Sequence, residues 1–174
     1  MSDKEYKYTT SFSSDISLID LSEVNMESFA SLKELEGLIP DIDFDKNIDL
    51  IGVAFNAAVA NMFNKNGDGI DGKTALEIKD QFIHKPTNIE HQRDKVVGHV
   101  VNAGLSTFGG NELMESYADE ETKPFNIALS AVIYKSVNKE FAKLIEASMD
   151  EESEFYHKVS ASWEIGFNDY DIAV

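Results

Sequence analysis

Apolar and polar positions alternate differently on the two sides of residue 48. Upstream, the chain is rich in Ser, Asp and Glu, with short apolar clusters such as ISLIDL and FASLKELEGLIP set between acids. In the second cluster Phe29, Leu32, Leu35, Leu38 and Ile39 recur at helical spacing and Pro40 follows, which predicts a short amphipathic helix. Downstream, IDLIGVAFNAAVANMF is a β-rich apolar run that predicts a core strand. GKTALEIKDQFI repeats Ala75, Ile78 and Phe82 at helical intervals before Lys85-Pro86 closes it. VVGHVVNAGLSTF reads as a valine-rich strand ended by Gly109-Gly110, and NELMESYADEETKP as a short helix and an acidic loop. FNIALSAVIYKSV is a further strand, and NKEFAKLIEASM a helix with Phe141, Leu144, Ile145 and Met149 on one side. DEESEFYH is a charged connection to a closing strand in KVSASWEIGFNDYDIAV.

Strands and helices are mixed here without the regular alternation and glycine-rich turns of a nucleotide-binding sheet, so the expected class is α+β. The expected organisation is an acidic N-terminal arm with a short helix over residues 1–47 and one α+β domain over residues 48–174.

Composition narrows what this domain can do. A chain of 174 residues that is 43% hydrophobic, with eleven Phe and six Tyr, can bury enough apolar surface to fold. Its formal charge of −17 repels phosphate backbones and anionic lipid, which argues against nucleic-acid and membrane-surface binding. With no cysteine, thiolate catalysis and cysteine-ligated zinc are excluded, and a covalent nucleophile must be another oxygen or nitrogen group. The N-terminus has no basic, then apolar, leader pattern, and no apolar run approaches the roughly 20 residues of a bilayer span, so a cytoplasmic protein is expected.

NKNGDGIDG invites a calcium reading, with Asn64, Asn66 and Asp68 at loop positions one, three and five and Gly69 at six. Position twelve then holds Ala75, which supplies no bidentate carboxylate, and position eight holds Asp71. A tight Asn/Gly/Asp turn leading to a helix that begins near Asp71 is the simpler expectation.

Four histidines are available, His84, His91, His99 and His157, and none has the spacing of a helical zinc site. Hydrolysis by a serine needs an exposed hydroxyl, a histidine to take its proton and donors for the oxyanion. In VSASWEIGF the period of a strand sends Val159, Ala161, Trp163, Ile165 and Phe167 to one face and Ser160, Ser162, Glu164 and Gly166 to the other. Two serines and a glutamate on a polar face make a candidate site, and an ordinary solvent-facing strand has the same pattern. His91, flanked by Glu90, Gln92, Arg93 and Asp94, fits a solvated strand end equally well.

Two separated segments together resemble the prohead maturation proteases of tailed bacteriophages, which share a fold with the herpesvirus assembly proteases. In KPTNIEHQRDKVVGHVV, Pro86, Ile89, His91 and Gly98 follow that family's layout, an extended segment ending in a catalytic histidine and a glycine opening the next strand. In KVSASWEIGF, the SWE tripeptide resembles the Ser-x-Glu strand that carries the nucleophile in one branch. The similarity runs from about Ile48 to the C-terminus.

The resemblance implies a mostly antiparallel, barrel-like sheet with packed helices. It implies His91 as general base and Ser162 as nucleophile with Ser160 as runner-up; within this sequence Glu164, Asp169 and His157 are the candidates to orient His91. No metal or cofactor is implied. The expected activity is that of a serine endopeptidase processing phage scaffold and capsid proteins, self-associating inside an assembling prohead in the host cytoplasm. Self-trimming at Leu21-Ser22-Glu23 or Leu32-Lys33-Glu34 would accompany it. The alternative is a non-catalytic virion or scaffold protein on the same fold. Only twelve residues follow Ser162, whereas the family draws further site elements from chain beyond its nucleophile, so a truncated chain or an incomplete site is expected.

Overall fold

The run FNIALSAVIY alternates poorly because both of its faces are covered, and it forms the central strand of the main sheet. The computed structural model describes residues 6–14, 35–64, 66–110, 112–117, 122–156, 158–159 and 161–172. Its strands are β1 (Tyr8–Ser14), β2 (Leu50–Ala60), β3 (Met62–Phe63), β4 (Gly69–Ile70), β5 (Pro86–Asn88), β6 (Val96–Thr107), β7 (Leu113–Met114), β8 (Phe125–Tyr134) and β9 (Ala161–Phe167). Its helices are α1 (Gly72–Ile78) and α2 (Lys139–Met149), with 3₁₀ turns at Glu36–Leu38 and Lys79–Phe82.

The main sheet is antiparallel in the order β2-β8-β6-β5, with β7 on the far end of β6. It curls into a half-barrel, so the class is mixed α and β with a curled antiparallel sheet and two short helices. Register shifts at Asn56/Ala58, Val100/Asn102 and Thr87/Asn88 place bulges in three ladders, and bulges sharpen the local twist that curls a sheet. Gly98 sits where β6 passes tightly against β8: a Cβ there would lie 1.9 Å from the Val132 carbonyl oxygen. Phe125, Ile127, Leu129 and Val100 fill one cluster under the sheet, and Ile51, Val97, Ile133, Ala142 and Ile145 a second one beneath α2.

Several elements depart from the sequence expectation. NELMES holds the short strand β7, not a helix. The turn at Gly109 (φ +83°) folds the chain back along β6, and the Thr107 N–H donates to the Glu112 carbonyl at 2.8 Å while the Glu112 N–H donates to Thr107 Oγ1 at 3.0 Å. On α2 the buried positions are Ala142 and Ile145 with Phe141 beside them, and Leu144 is 37% exposed. The Met149 side chain lies outside the description. Of the helix expected over 29–39, Phe29 and Leu32 are outside the described residues, while Leu35 and Leu38 are buried against Ala128.

Two pieces of the acidic arm are built into the body. The Leu38 carbonyl takes hydrogen bonds from Ser130 Oγ (2.8 Å) and Asn102 Nδ2 (3.1 Å), so the Leu35–Leu38 turn is fastened to the main sheet. β1 pairs antiparallel along the whole of β9, from Tyr8 opposite Phe167 to Ser14 opposite Ala161.

The Asn/Gly/Asp segment is a hairpin turn between β3 and β4. Asn64 Oδ1 accepts from the backbone N–H groups of Asn66 and Asp68, each at 2.9 Å, and Gly67 takes φ +82°. Asp71 caps α1, accepting from the Thr74 N–H at 3.0 Å and from Thr74 Oγ1 at 2.6 Å. Of the side chains that a calcium loop would use, Asn64 is committed to the turn, Asp71 to the cap, and Asp68 Oδ2 accepts from Thr10 Oγ1 at 3.1 Å.

Candidate active site

His91 is delivered by a turn that a histidine does not favour. The short strand β5 leads into Ile89-Glu90-His91-Gln92, closed by the Gln92 N–H donating to the Ile89 carbonyl at 3.0 Å. Both central residues have positive φ, Glu90 at +52° and His91 at +57°, the sign pattern of a type I′ turn that usually carries Asn-Gly. Each non-glycine residue held there costs on the order of 1–2 kcal/mol. The turn persists because its surroundings fix it: the Ile89 N–H reaches the Lys95 carbonyl (3.2 Å), the Lys95 N–H reaches the Gln92 carbonyl (2.9 Å), and Gln92 Nε2 donates to Glu90 Oε2 (3.3 Å).

Ser162 is delivered by the alternation of β9. Ser162 and Glu164 are exposed while Ala161, Trp163 and Ile165 are partly buried, as the period of two requires. Ser162 lies opposite Ser13 in the β1–β9 ladder.

The two deliveries converge. His91 Nε2 and Ser162 Oγ are 2.8 Å apart, across 71 residues of sequence, and both side chains are exposed. At that distance the Ser162 hydroxyl donates to Nε2 when the imidazole carries its proton on Nδ1, the tautomer a general base needs. Both residues line one open cavity of about 1260 Å³, whose wall includes Val97, Ile133, Phe141, Ile145 and Trp163. Lys85 is the one Lys or Arg among its described lining residues, against Asp41, Glu151 and Glu164.

The other expected site residues fall elsewhere. Glu164 shares the polar face of β9 with Ser162 and lines the cavity, but no hydrogen bond joins it to His91. Asp169 is used locally, accepting from the Tyr170 N–H at 3.0 Å. Ser160 and His157 lie outside the described residues, as do both Leu-x-Glu segments of the arm. Among the described residues no carboxylate hydrogen-bonds His91. His99 Nδ1 engages the Tyr134 hydroxyl, and His84, at φ +67°, donates its backbone N–H to the Val100 carbonyl; neither lines the cavity. No cluster of three or more metal-ligating side chains occurs among the described residues.

Sequence reasoning missed the partner of the serine strand. YTTSFSS carries the β-branched, aromatic and alternating composition of a strand, a signal obscured by the acidic segments after it. Comparison of the chain with protein-family models, with curated proteins and with solved structures returns no match in any of the three.

Proposed function

We propose that the chain is a serine endopeptidase of the phage prohead-maturation kind, with Ser162 as nucleophile and His91 as general base. The observation that carries the reading is the 2.8 Å contact between His91 Nε2 and Ser162 Oγ, between the two segments whose motifs resemble that family. In this reading Ser162 Oγ forms a bond to the peptide carbonyl carbon as its proton passes to His91 Nε2, and backbone N–H groups hold the oxyanion. Collapse breaks the C–N bond, and His91 returns the proton to the leaving amine. Water then attacks the ester, giving its proton to His91, and Ser162 recovers its hydrogen as the acid departs.

The curled antiparallel sheet with two packed helices is, on this reading, the fold shared with herpesvirus assembly proteases. The substrates are scaffold and capsid proteins of the assembly in which the chain is enclosed and self-associates, in the host cytoplasm. A non-catalytic virion or scaffold role is the second reading, and the absence of a described carboxylate on His91 favours it. Loss of the orienting group in a serine protease costs about 10⁴ in turnover.

The test is reaction with a fluorophosphonate, read by intact mass and peptide mapping, together with co-expression beside a candidate scaffold. The proposal expects one adduct on Ser162, and loss of both labelling and scaffold processing in Ser162→Ala and His91→Ala. Scaffold processing that persists in both variants, or a wild-type chain that never labels, refutes it.

A further inference from the structure

Ser162 and the strand that leads to His91 belong to different sheets. β9 pairs with β1 in a two-stranded sheet, whereas β5, which leads to His91, belongs to the main-sheet ladder. Among the described residues no strand pairing fixes the serine strand against the histidine turn, so side-chain contacts between the two sheets share in their alignment. Reacting groups must be held to within about 0.5 Å of a productive geometry, so whatever sets that alignment governs the chemistry.

One described aromatic contact crosses between the two units at this place. Trp163, the only tryptophan of the chain, packs edge-on against Phe82, with ring centroids 5.1 Å apart and an interplanar angle of 70°. That is the favourable geometry for two aromatic rings. Trp163 follows Ser162 on β9, so its ring enters the half-barrel from the face opposite the hydroxyl. Phe82 stands at the end of the 3₁₀ turn that feeds β5, and its carbonyl accepts from the Lys85 N–H at 3.0 Å. Both rings pack on the cluster built around Phe125, Ile127 and Leu129. From Phe82 the backbone runs directly through β5 to His91, and His84 and Val100 clamp that run to β6 through the His84 N–H to Val100 carbonyl (2.8 Å) and Val100 N–H to Lys85 carbonyl (2.9 Å) bonds.

We infer that Trp163 is a positioning residue for the His91–Ser162 pair: its contact with Phe82 sets the serine strand against the histidine-bearing segment. The inference rests on the proposed hydrolytic reading and adds to it a residue that acts through its packing on Phe82 and not on the reacting atoms.

The test uses the full chain and the rate of Ser162 phosphonylation by a fluorophosphonate. Trp163→Ala and Phe82→Ala are each expected to slow labelling about 10²-fold, the cost of a misplacement of about 1 Å. The double variant should be no slower than either single one, because the two rings act as one unit. Trp163→Phe, which keeps an edge-on partner, should recover most of the rate. Leu38→Ala, a core change packed on Ala128 on the other face of β8, should leave it unchanged and so separates positioning from lost stability. In Phe82→Ala the emission of the single tryptophan should shift to the red as water reaches the ring. Should the alanine variants fail to fold, Phe82→Leu and Trp163→Leu, which fill the space but lose the edge-on ring, carry the same comparison. A folded Trp163→Ala protein that labels at the wild-type rate overturns the inference and leaves the hydrolytic reading standing. A wild-type chain that never labels removes that reading and this inference with it.

Discussion

The main sheet and the seam where β9 meets the β5 turn are built by opposite rules. In β8 nine of ten positions are buried, Ile127, Ala128, Ser130 and Ala131 completely, and its neighbours β2 and β6 hold it from both sides. Its buried polar side chains are hydrogen-bonded, Asn126 to Ser106 and the Thr107 carbonyl and Ser130 to the Leu38 carbonyl. At the seam, His91 and Ser162 are exposed, two adjacent residues sit at left-handed φ, and the two strands concerned belong to different sheets. Nothing in burial or propensity explains why Glu90 and His91 occupy the corner of that turn. Strain that local sequence would relieve by Asn-Gly is instead retained beside a histidine and a serine in contact, which is where stored strain has a functional reading.

The largest effect expected from this contrast lies in the sheet. Gly98→Ala places a methyl group 1.9 Å from the Val132 carbonyl oxygen, a backbone atom that no rotamer change can move. Two strands of the central ladder must separate, so a loss of ~3 kcal/mol or more is expected, read as a fall in the denaturation midpoint in urea. Ile127→Ala, which leaves a cavity at a fully buried position, should cost about 2–5 kcal/mol by the same measurement. If both variants were as stable as the parent, the main sheet would not be the rigid half of the molecule.

A substitution at the seam should have the reverse sign. His91→Gly removes the left-handed penalty at the second corner of the turn, and the extra chain entropy of glycine offsets part of the gain. A stabilisation of about 1 kcal/mol is expected, accompanied by complete loss of Ser162 labelling. Glu90→Asn, which suits the first corner, should stabilise less and keep the labelling. Equal destabilisation by His91→Gly and Ile127→Ala would erase the distinction between the two regions.

The sequence carried the sheet far better than the seam, for a physical reason. Burial leaves a local trace: FNIALSAVIY, VVGHVVNAGLST and LIGVAFNAAVA are long, apolar and bounded by turn residues, and each is a strand of the main sheet. The alternation of VSASWEIGF likewise separated the exposed Ser162 and Glu164 from Ala161, Trp163 and Ile165, while Gly166, expected on the outward face, is partly buried beside Tyr6. The helices in GKTALEIKDQFI and NKEFAKLIEASM were legible from their periodicity, whereas NELMES, expected as a helix, holds β7, which pairing to β6 creates. The meeting of His91 with Ser162 spans 71 residues, and spacing alone left it open; a resemblance in two motifs named the pair. The β1–β9 pairing and the Phe82–Trp163 contact depend on tertiary placement that no window of the sequence contains.

The smallest predicted effect sharpens the boundary between the two regions. Asp71 caps α1, the helix that leads through the 3₁₀ turn to Phe82 and β5, and Thr74 holds its carboxyl below the ordinary carboxylate value by side-chain and then backbone hydrogen bonding. A depressed folded-state pKa means that the unfolded chain binds the proton more readily, so the cap contributes its stability above the ordinary carboxylate pKa. That contribution is lost as pH falls through the lower folded value. Asp71→Ala should therefore cost about 1 kcal/mol at neutral pH, the usual worth of an N-cap, and the difference from the parent should shrink in acid. Asp71→Asn keeps an acceptor and should cost less, with no such pH dependence of its own. Because the cap holds the segment that carries His91 and not the central ladder, hydrogen exchange should rise in α1 and β5 while the β8 amides keep their protection. Uniform loss of protection across β8 in Asp71→Ala would show that the seam and the sheet unfold as one unit.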